Sequence, residues 1–231
     1  MGLGELIILA GGFATRLGSQ TYNVPKILLP FHGKEFLNYQ LELYDGKFNS
    51  ITYALGHKSD VIIDHLSTIK CRSRLGFCID PYPGCGTGAA LRNAVAELQS
   101  EFFAVTYGDS YLLHDPIPAF QDFIRRNENA AMLVTKSTGT DINNVQVSDG
   151  KVVKYQKNSN DLNLQNLDYG LSFFKKSSMS QFDIRGAFDL SEYHQRFIAM
   201  GQLKCYEVGE RYFEIGSLKG QRDFEKYLEM R

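Results

Sequence analysis

Between Leu6 and Thr135 short apolar runs alternate with amphipathic segments, and this alternation constrains the fold of the chain more than any other feature. The strand-like runs are Leu6–Ala10, Ile51–Leu55, Leu75–Ile79, Phe102–Thr106 and Ala130–Thr135. Between them, Phe36–Tyr44, Ser59–Leu66, Thr87–Leu98 and Ile117–Arg126 carry apolar residues at helical spacing. In the third of these, Ala90, Leu91, Ala94, Val95 and Leu98 share one face. Ser59, just before Asp60, is expected to cap the second. A βαβα order predicts an α/β, Rossmann-like fold with a mostly parallel central sheet and helices on both faces. Right-handed crossovers then gather the loops that follow the strands along one sheet edge, where ligands bind.

The second half changes character. Asn144–Val147 and Val152–Gln156 flank Ser148-Asp149-Gly150, a hairpin signal. Leu171–Phe174 reads as a further strand, and Phe188–Met200 and Ser217–Leu228 read as helices. No linker, low-complexity tract or repeat divides the chain, so one domain spanning 1–231 is expected.

At 43% hydrophobic the chain can bury a substantial core. Its formal net charge of -1 gives no bulk attraction to nucleic acid or to an anionic membrane, so neither is expected as a partner. A polyanionic ligand must instead be met by a few placed cations. No apolar run approaches the ~20 residues a transmembrane helix needs. The opening MGLGELIILAGG lacks the basic region and small-residue cleavage site of a signal peptide, and a cytoplasmic location is expected. Cys71, Cys78, Cys85 and Cys205 lack zinc-ligand spacing and read as ordinary thiols. The five histidines are scattered, and none stands in a recognisable triad order.

Chemistry concentrates at the first strand. Leu6–Ala10 runs into Gly11-Gly12, then Thr15 and Arg16, and Pro25-Lys26 follows ten residues on. A buried strand emptying into a glycine-rich turn lets backbone N–H groups approach polyphosphate oxygens. An arginine and a lysine beside that turn can hold the charge on a transferring phosphoryl group.

The stretch Leu9-Ala10-Gly11-Gly12-Phe13-Ala14-Thr15-Arg16-Leu17, with Pro25-Lys26 beyond it, resembles the signature loop of the sugar-1-phosphate nucleotidyltransferases. That loop usually reads GGxGTRL and then PK. Ala14 stands where a third glycine is common, and alanine disfavours positive φ. Gly86-Thr87-Gly88-Ala89-Ala90-Leu91 is similar to the family's GTGGAL segment, which lays the base against backbone beside a helix N-terminus. Tyr107-Gly108-Asp109 resembles the strand end whose aspartate holds Mg²⁺, with Tyr107 where asparagine is more usual. Phe213-Glu214-Ile215-Gly216-Ser217 resembles FxDIGTP, with Glu214 in place of the second metal-binding aspartate. Lys157 fits the family's sugar-phosphate lysine, while Gln156 replaces the glutamate before it. Leu167-Asp168-Tyr169-Gly170 resembles N-x-G, which puts Asp168 and Gly170 at the sugar, with Asn144 at the expected sugar wall.

The resemblance implies a nucleotide-diphospho-sugar transferase fold, with a nucleotide-binding half at about 1–136 and a sugar-phosphate half at about 137–231. It implies the reaction NTP + sugar 1-phosphate → NDP-sugar + pyrophosphate, with Mg²⁺ as cofactor. Arg16 and the backbone of Leu9, Ala10, Gly11, Gly12 and Thr15 would hold the nucleotide and its leaving pyrophosphate, and Gly86, Thr87 and Gly88 would face the base. Lys26 would bridge the α-phosphate and the sugar phosphate. Asp109 and Glu214 would hold the metal, and Lys157 the incoming phosphate. The short length and GG opening look most like bacterial heptose-1-phosphate or mannose-1-phosphate guanylyltransferases, which serve surface polysaccharide precursor synthesis. Uridylyl, thymidylyl or cytidylyl transfer, a non-sugar phosphate acceptor, and a non-catalytic nucleotide-binding relative remain open. A dinucleotide oxidoreductase is disfavoured because Phe13-Ala14 breaks GxGxxG. Oligomeric state also stays open, with a homodimer as one candidate.

Overall fold

The first strand, β1 (Glu5–Leu9), is buried along its whole length because it is covered on both faces. Leu6 and Ile8 point into one core cluster, Ile7 and Leu9 into the other. Fully burying each such aliphatic contributes about 1.5–3 kcal/mol, which is why the strand reads as an unbroken apolar run. A computed structural model describes residues 3–14, 17–18, 21–22, 24–136, 143–157, 159 and 161–231.

After β1 comes a short 3-10 helix at Lys26–Leu28. A tight hairpin of β2 (Pro30–Phe31) and β3 (Lys34–Glu35) leads into α1 (Phe36–Tyr44). Then follow β4 (Ser50–Leu55), α2 (Ser59–Thr68), β5 (Arg74–Ile79), α3 (Gly86–Ala96) and β6 (Phe102–Tyr107). Next are β7 (Ser110–Leu112), α4 (Ile117–Arg125) and β8 (Ala130–Thr135). The second half supplies β9 (Val145–Ser148), β10 (Lys151–Tyr155), β11 (Leu167–Lys175), α5 (Lys176–Met179) and α6 (Ser191–Ala199). It ends with β12 (Leu203–Glu207), β13 (Tyr212–Glu214) and α7 (Leu218–Glu229).

Among the described residues nine strands form one sheet in the order β5-β4-β1-β6-β11-β8-β12-β10-β9. The β5-β4-β1-β6 block is parallel throughout. Beyond it the sheet is mixed, because β11 enters antiparallel between β6 and β8, and β12 then runs parallel to β8. Helices α1, α2, α4 and α7 cover one face, and α3, α5 and α6 the other. The C-terminal ends of β1 and its neighbours lie level. Gly108 N donates to Leu9 O at 2.8 Å, and Ala10 N to Ala54 O at 2.8 Å. The loops after these strands therefore meet at one edge.

One local expectation needs adjusting and another is met. Ser59 is the first helical residue of α2 and caps nothing; the capping position is Lys58, in the left-handed region at φ 58°. The hairpin at Ser148-Asp149-Gly150 forms, and both central residues, Asp149 and Gly150, have positive φ. That geometry matches the right-handed twist of the two strands.

Candidate functional site

The loops after β1, β5 and β6 enclose a cavity of about 320 Å³. Leu9, Ala10, Gly11 and Gly12 line it, as do Lys26, Gly86, Thr87 and Asp109. Gly11 is required by a close approach: a Cβ there would fall 2.1 Å from Asp80 Oδ2. Asp80, at the end of β5, also lies against Gly56, where a Cβ would be 2.5 Å from the same oxygen. Its other oxygen, Oδ1, is buried with no hydrogen-bond partner among the described residues. Burial pushes the Asp80 pKa above the usual carboxylate value. The sequence reading missed this residue, because an aspartate after a strand reads as a turn former.

Ala14 adopts φ +53°. The loop thus keeps the left-handed turn that a glycine would make freely, and an L-residue there costs roughly 1–2 kcal/mol. The turn is closed by Leu17 N donating to Ala14 O at 3.0 Å, with the Thr21 hydroxyl on the same carbonyl. Thr15 and Arg16, to which the resemblance gives pyrophosphate contacts, lie outside the described residues.

Lys26, Asp109 and Glu214 come together. Lys26 Nζ donates to Asp109 Oδ2 at 2.5 Å, and both side chains are mostly buried. Glu214 pairs with Ser110 across β13 and β7, and Ile215 N donates to Asp109 O at 3.0 Å. The meeting point is Gly216. A Cβ on it would stand 2.9 Å from Asp109 Oδ2, 3.1 Å from Glu214 Oε2 and 3.6 Å from Lys26 Nζ. The longer glutamate side chain has a physical use here. Its Oε1 accepts from the Ser217 hydroxyl, and Ser217 in turn caps α7 by accepting from Gly220 N. Oε2 is left facing Asp109. Among the described residues no group of three or more His, Cys, Asp or Glu converges, so the protein offers a cation two carboxylates. A hard divalent ion that keeps waters and takes phosphate oxygens suits that donor set.

The GTG segment divides in two. Gly86 and Thr87 line the cavity, but Gly88 does not. Gly88, expected at the nucleotide, instead lets α3 pack: a Cβ there would lie 2.3 Å from the Phe188 ring. The first turn of α3 is also occupied, since Phe188 O accepts from Gly88 N at 2.9 Å and from Ala89 N at 3.4 Å. That helix end therefore offers a ligand fewer free amides than expected.

The residues expected at the sugar gather around Tyr107 rather than in the cavity lining. Asp168 accepts from the Tyr155 hydroxyl at 3.0 Å and from Gly170 N at 2.9 Å. Burial raises its pKa against those two hydrogen bonds. Asn144 spends its side-chain oxygen on Asp168 N at 2.9 Å, so it holds the wall in place. Gly170, at φ 87°, interrupts the β11–β8 register, and its missing side chain faces Ser110 and the Tyr107 ring. Lys157 Nζ is paired with Asp189 Oδ1 at 2.6 Å, and the Thr87 hydroxyl donates to Asp189 Oδ2 at 3.1 Å. Burial works to raise the Asp189 pKa, but Lys157 and Ser191 outweigh it and hold it at about 2. Asp189 was also missed: in sequence it is one acid at the start of the helix expected from Phe188. The Tyr107 hydroxyl joins the two regions. Its pKa is pushed far up by burial first, then by the carboxylates of Asp168, Asp189 and Asp109.

The chain resembles known proteins in sequence and in fold. The chain is 28% identical over 108 residues to a D-glycero-alpha-D-manno-heptose 1-phosphate guanylyltransferase of Campylobacter jejuni, covering 46% of this chain and 48% of the relative. It is 27% identical over 121 residues to the Aneurinibacillus thermoaerophilus protein of the same name, covering 52% of each. The chain spans about half the length of the curated relatives it matches. In fold it matches HddC from Yersinia pseudotuberculosis complexed with GMP-PN, with a TM-score of 0.79 at 22% identity over 98% of this chain and 100% of that one. It also matches an inositol-1-phosphate CTP transferase from T. maritima, with a TM-score of 0.81 at 20% identity over 99% of this chain and 96% of that one. The model of the MobA-like NTP transferase domain matches residues 6–165, a span that includes every residue lining the cavity, and the chain belongs to that family.

Proposed function

We propose that the protein transfers a nucleotidyl group from GTP to a mannose or heptose 1-phosphate, releasing pyrophosphate and forming a GDP-sugar. The observation that carries this reading is the meeting of Lys26, Asp109 and Glu214 around Gly216, at the rim of the glycine-loop cavity. It supports a two-substrate site, with the nucleotide on the β1 side of Tyr107 and the sugar on the Asp168 side.

The sugar phosphate is already ionised at neutral pH, so its oxygen can attack the α-phosphorus in line without a general base. Catalysis then consists of alignment and charge neutralisation. Lys26 would hold the α-phosphate and the attacking phosphate together. Lys157 would exchange Asp189 for the incoming phosphate, and Arg16 with the Gly11–Gly12 backbone would hold the leaving pyrophosphate. Asp109 and Glu214 would hold Mg²⁺, which supplies Lewis-acid neutralisation of phosphate charge. Asp168 and Gly170 would meet the sugar, with Asn144 fixing the wall behind them. A nucleotide-binding half at about 1–136 and a sugar-phosphate half at about 137–231 would act together, in the cytoplasm.

Guanine is favoured over uracil and thymine by Asp80, which lines the cavity. A carboxylate accepts only, and the Watson–Crick edge of guanine presents two adjacent donors, N1–H and N2–H. Uracil and thymine present one donor between two carbonyls. Relatives named as guanylyltransferases support the same choice.

Pyrophosphate release, measured across four NTPs and a panel of sugar 1-phosphates, tests the proposal. GTP with mannose or heptose 1-phosphate is expected to give the highest kcat/KM. Lys26→Ala is expected to lower it on the order of 10²-fold, the cost of removing one transition-state cation. No release with any pair would refute the enzymatic reading.

A further inference from the structure

We infer that Gln40 is the positioning residue that aims Asp109 into the site, an inference that rests on the metal-binding role given to Asp109 above. Gln40 lies on the buried face of α1 among Phe36, Leu37, Leu41 and Tyr44, and it is fully buried. That surrounding would suit a leucine or methionine, so a primary amide there needs a reason. Its Nε2 supplies one: it donates to Tyr107 O at 2.8 Å and to Ser110 O at 2.7 Å. These two carbonyls bracket the Gly108–Asp109 turn that joins β6 to β7. Its Oε1, by contrast, is buried with no partner among the described residues. The position therefore tolerates an unsatisfied acceptor in order to keep two donors on that turn.

The turn is held from three sides. Gly108 N donates to Leu9 O at 2.8 Å, Ile215 N donates to Asp109 O at 3.0 Å, and Gln40 Nε2 donates to the carbonyls before and after. The first two contacts are backbone to backbone and come with the sheet. The third depends on one side chain. Without it, two carbonyls turn toward an apolar helix face, and the turn is free to rotate them away. Rotation carries Asp109 Oδ2 off the point it shares with Lys26 and Glu214. Gln40 touches no substrate in this arrangement and acts only through Asp109.

The test uses Mn²⁺ alone as the probe, titrated into the full chain and followed by electron paramagnetic resonance of the free ion. Gln40→Met keeps the length and removes both donors. It is expected to weaken Mn²⁺ binding about tenfold or more, as removal of a residue that orients a metal ligand generally does. Leu41→Ala, on the same helix but away from the turn, destabilises the fold without touching Asp109 and is expected to leave the Mn²⁺ affinity unchanged. Should Gln40→Met not fold, Gln40→Asn keeps an amide one methylene short and is expected to show the same weakening. Asp109→Asn separates the two ideas. If it binds Mn²⁺ like the wild type, the metal reading of Asp109 fails. If it loses Mn²⁺ while the Gln40 variant binds normally, the positioning role alone is overturned. Equal weakening by Leu41→Ala would likewise reduce Gln40 to a general contribution to stability.

Discussion

Asp80→Asn is expected to make the unliganded protein more stable and the enzyme less selective. Asp80 carries a buried, unpartnered oxygen, and burial raises its pKa above the ordinary carboxylate value. A carboxyl with a raised folded pKa binds its proton more tightly folded than unfolded. Stability therefore falls as pH rises from the unfolded value through the folded one, and the penalty is fully present above it. Asparagine carries no charge and no such penalty. The difference in Tm between variant and wild type should be small near pH 4, about the ordinary aspartate pKa, and positive at pH 7–8.

Selectivity should move the other way. Guanine offers two adjacent donors to a carboxylate, and an asparagine can accept only one while turning its own N–H₂ toward the other. A hydrogen bond to a charged acceptor is worth about 1.5–3 kcal/mol, so kcat/KM for GTP should fall roughly 10- to 150-fold. UTP, with one donor, should lose much less, and the GTP/UTP ratio should fall with the GTP value. Thermal unfolding across pH and pyrophosphate release with both nucleotides measure the two effects. An unchanged GTP/UTP ratio would remove Asp80 from base recognition. An Asp80→Asn protein that gains no more stability over wild type at pH 7 than at pH 4 would refute the burial argument.

Gly88→Ala should destabilise by about 1–3 kcal/mol, because its Cβ would fall 2.3 Å from the Phe188 ring, and Tm should drop roughly 3–10 °C. The same shift moves the neighbouring Asp189, so KM for the sugar phosphate should rise; an unchanged Tm would refute the packing role. Ala14→Gly removes the left-handed strain of φ +53° but adds unfolded-state entropy of about 0.4–1 kcal/mol, so Tm should hold or rise slightly. A clear fall in Tm would mean that the Ala14 methyl makes contacts worth more than the strain.

How much of the fold is legible depends on how a strand is buried. The strands β1, β4 and β6 are covered on both faces, and their apolar runs are visible with ends within a residue or two. β7, β2 and β3 have two or three residues each, too few for any periodicity to register. β12 alternates inward Leu203 and Cys205 with Lys204, and with only two inward apolar residues it gives no run to recognise. β11 extends from Leu167 to Lys175, well beyond the readable Leu171–Phe174, because Asp168 and Gly170 interrupt its apolar pattern. Those two residues are the ones expected at the sugar, so the pattern fails where the proposed chemistry begins.

The site divides along a similar line. Motif residues are legible because chemistry fixes their type, but a motif glycine does not announce which neighbour requires it. Gly11 makes room for Asp80, whereas Gly88 makes room for Phe188, far along the chain in the second half. Asp80, Asp189 and Gln40 look in sequence like a turn former, an acid at a helix start and a polar helix residue. Each acquires its meaning from an atom supplied by another element: the Gly11 backbone, the Lys157 ammonium, the Tyr107 and Ser110 carbonyls. Sheet order is what brings such atoms together. A purely parallel continuation after β6 would have set β8 beside it. Inserting β11 there instead lets the Thr106 hydroxyl donate to Gly170 O at 2.8 Å and leaves Gly170 open toward Tyr107. One antiparallel strand thus brings Asp168 and Gly170 beside the Tyr107 end of β6, and the departure from parallel order is what makes the proposed two-substrate site geometrically available.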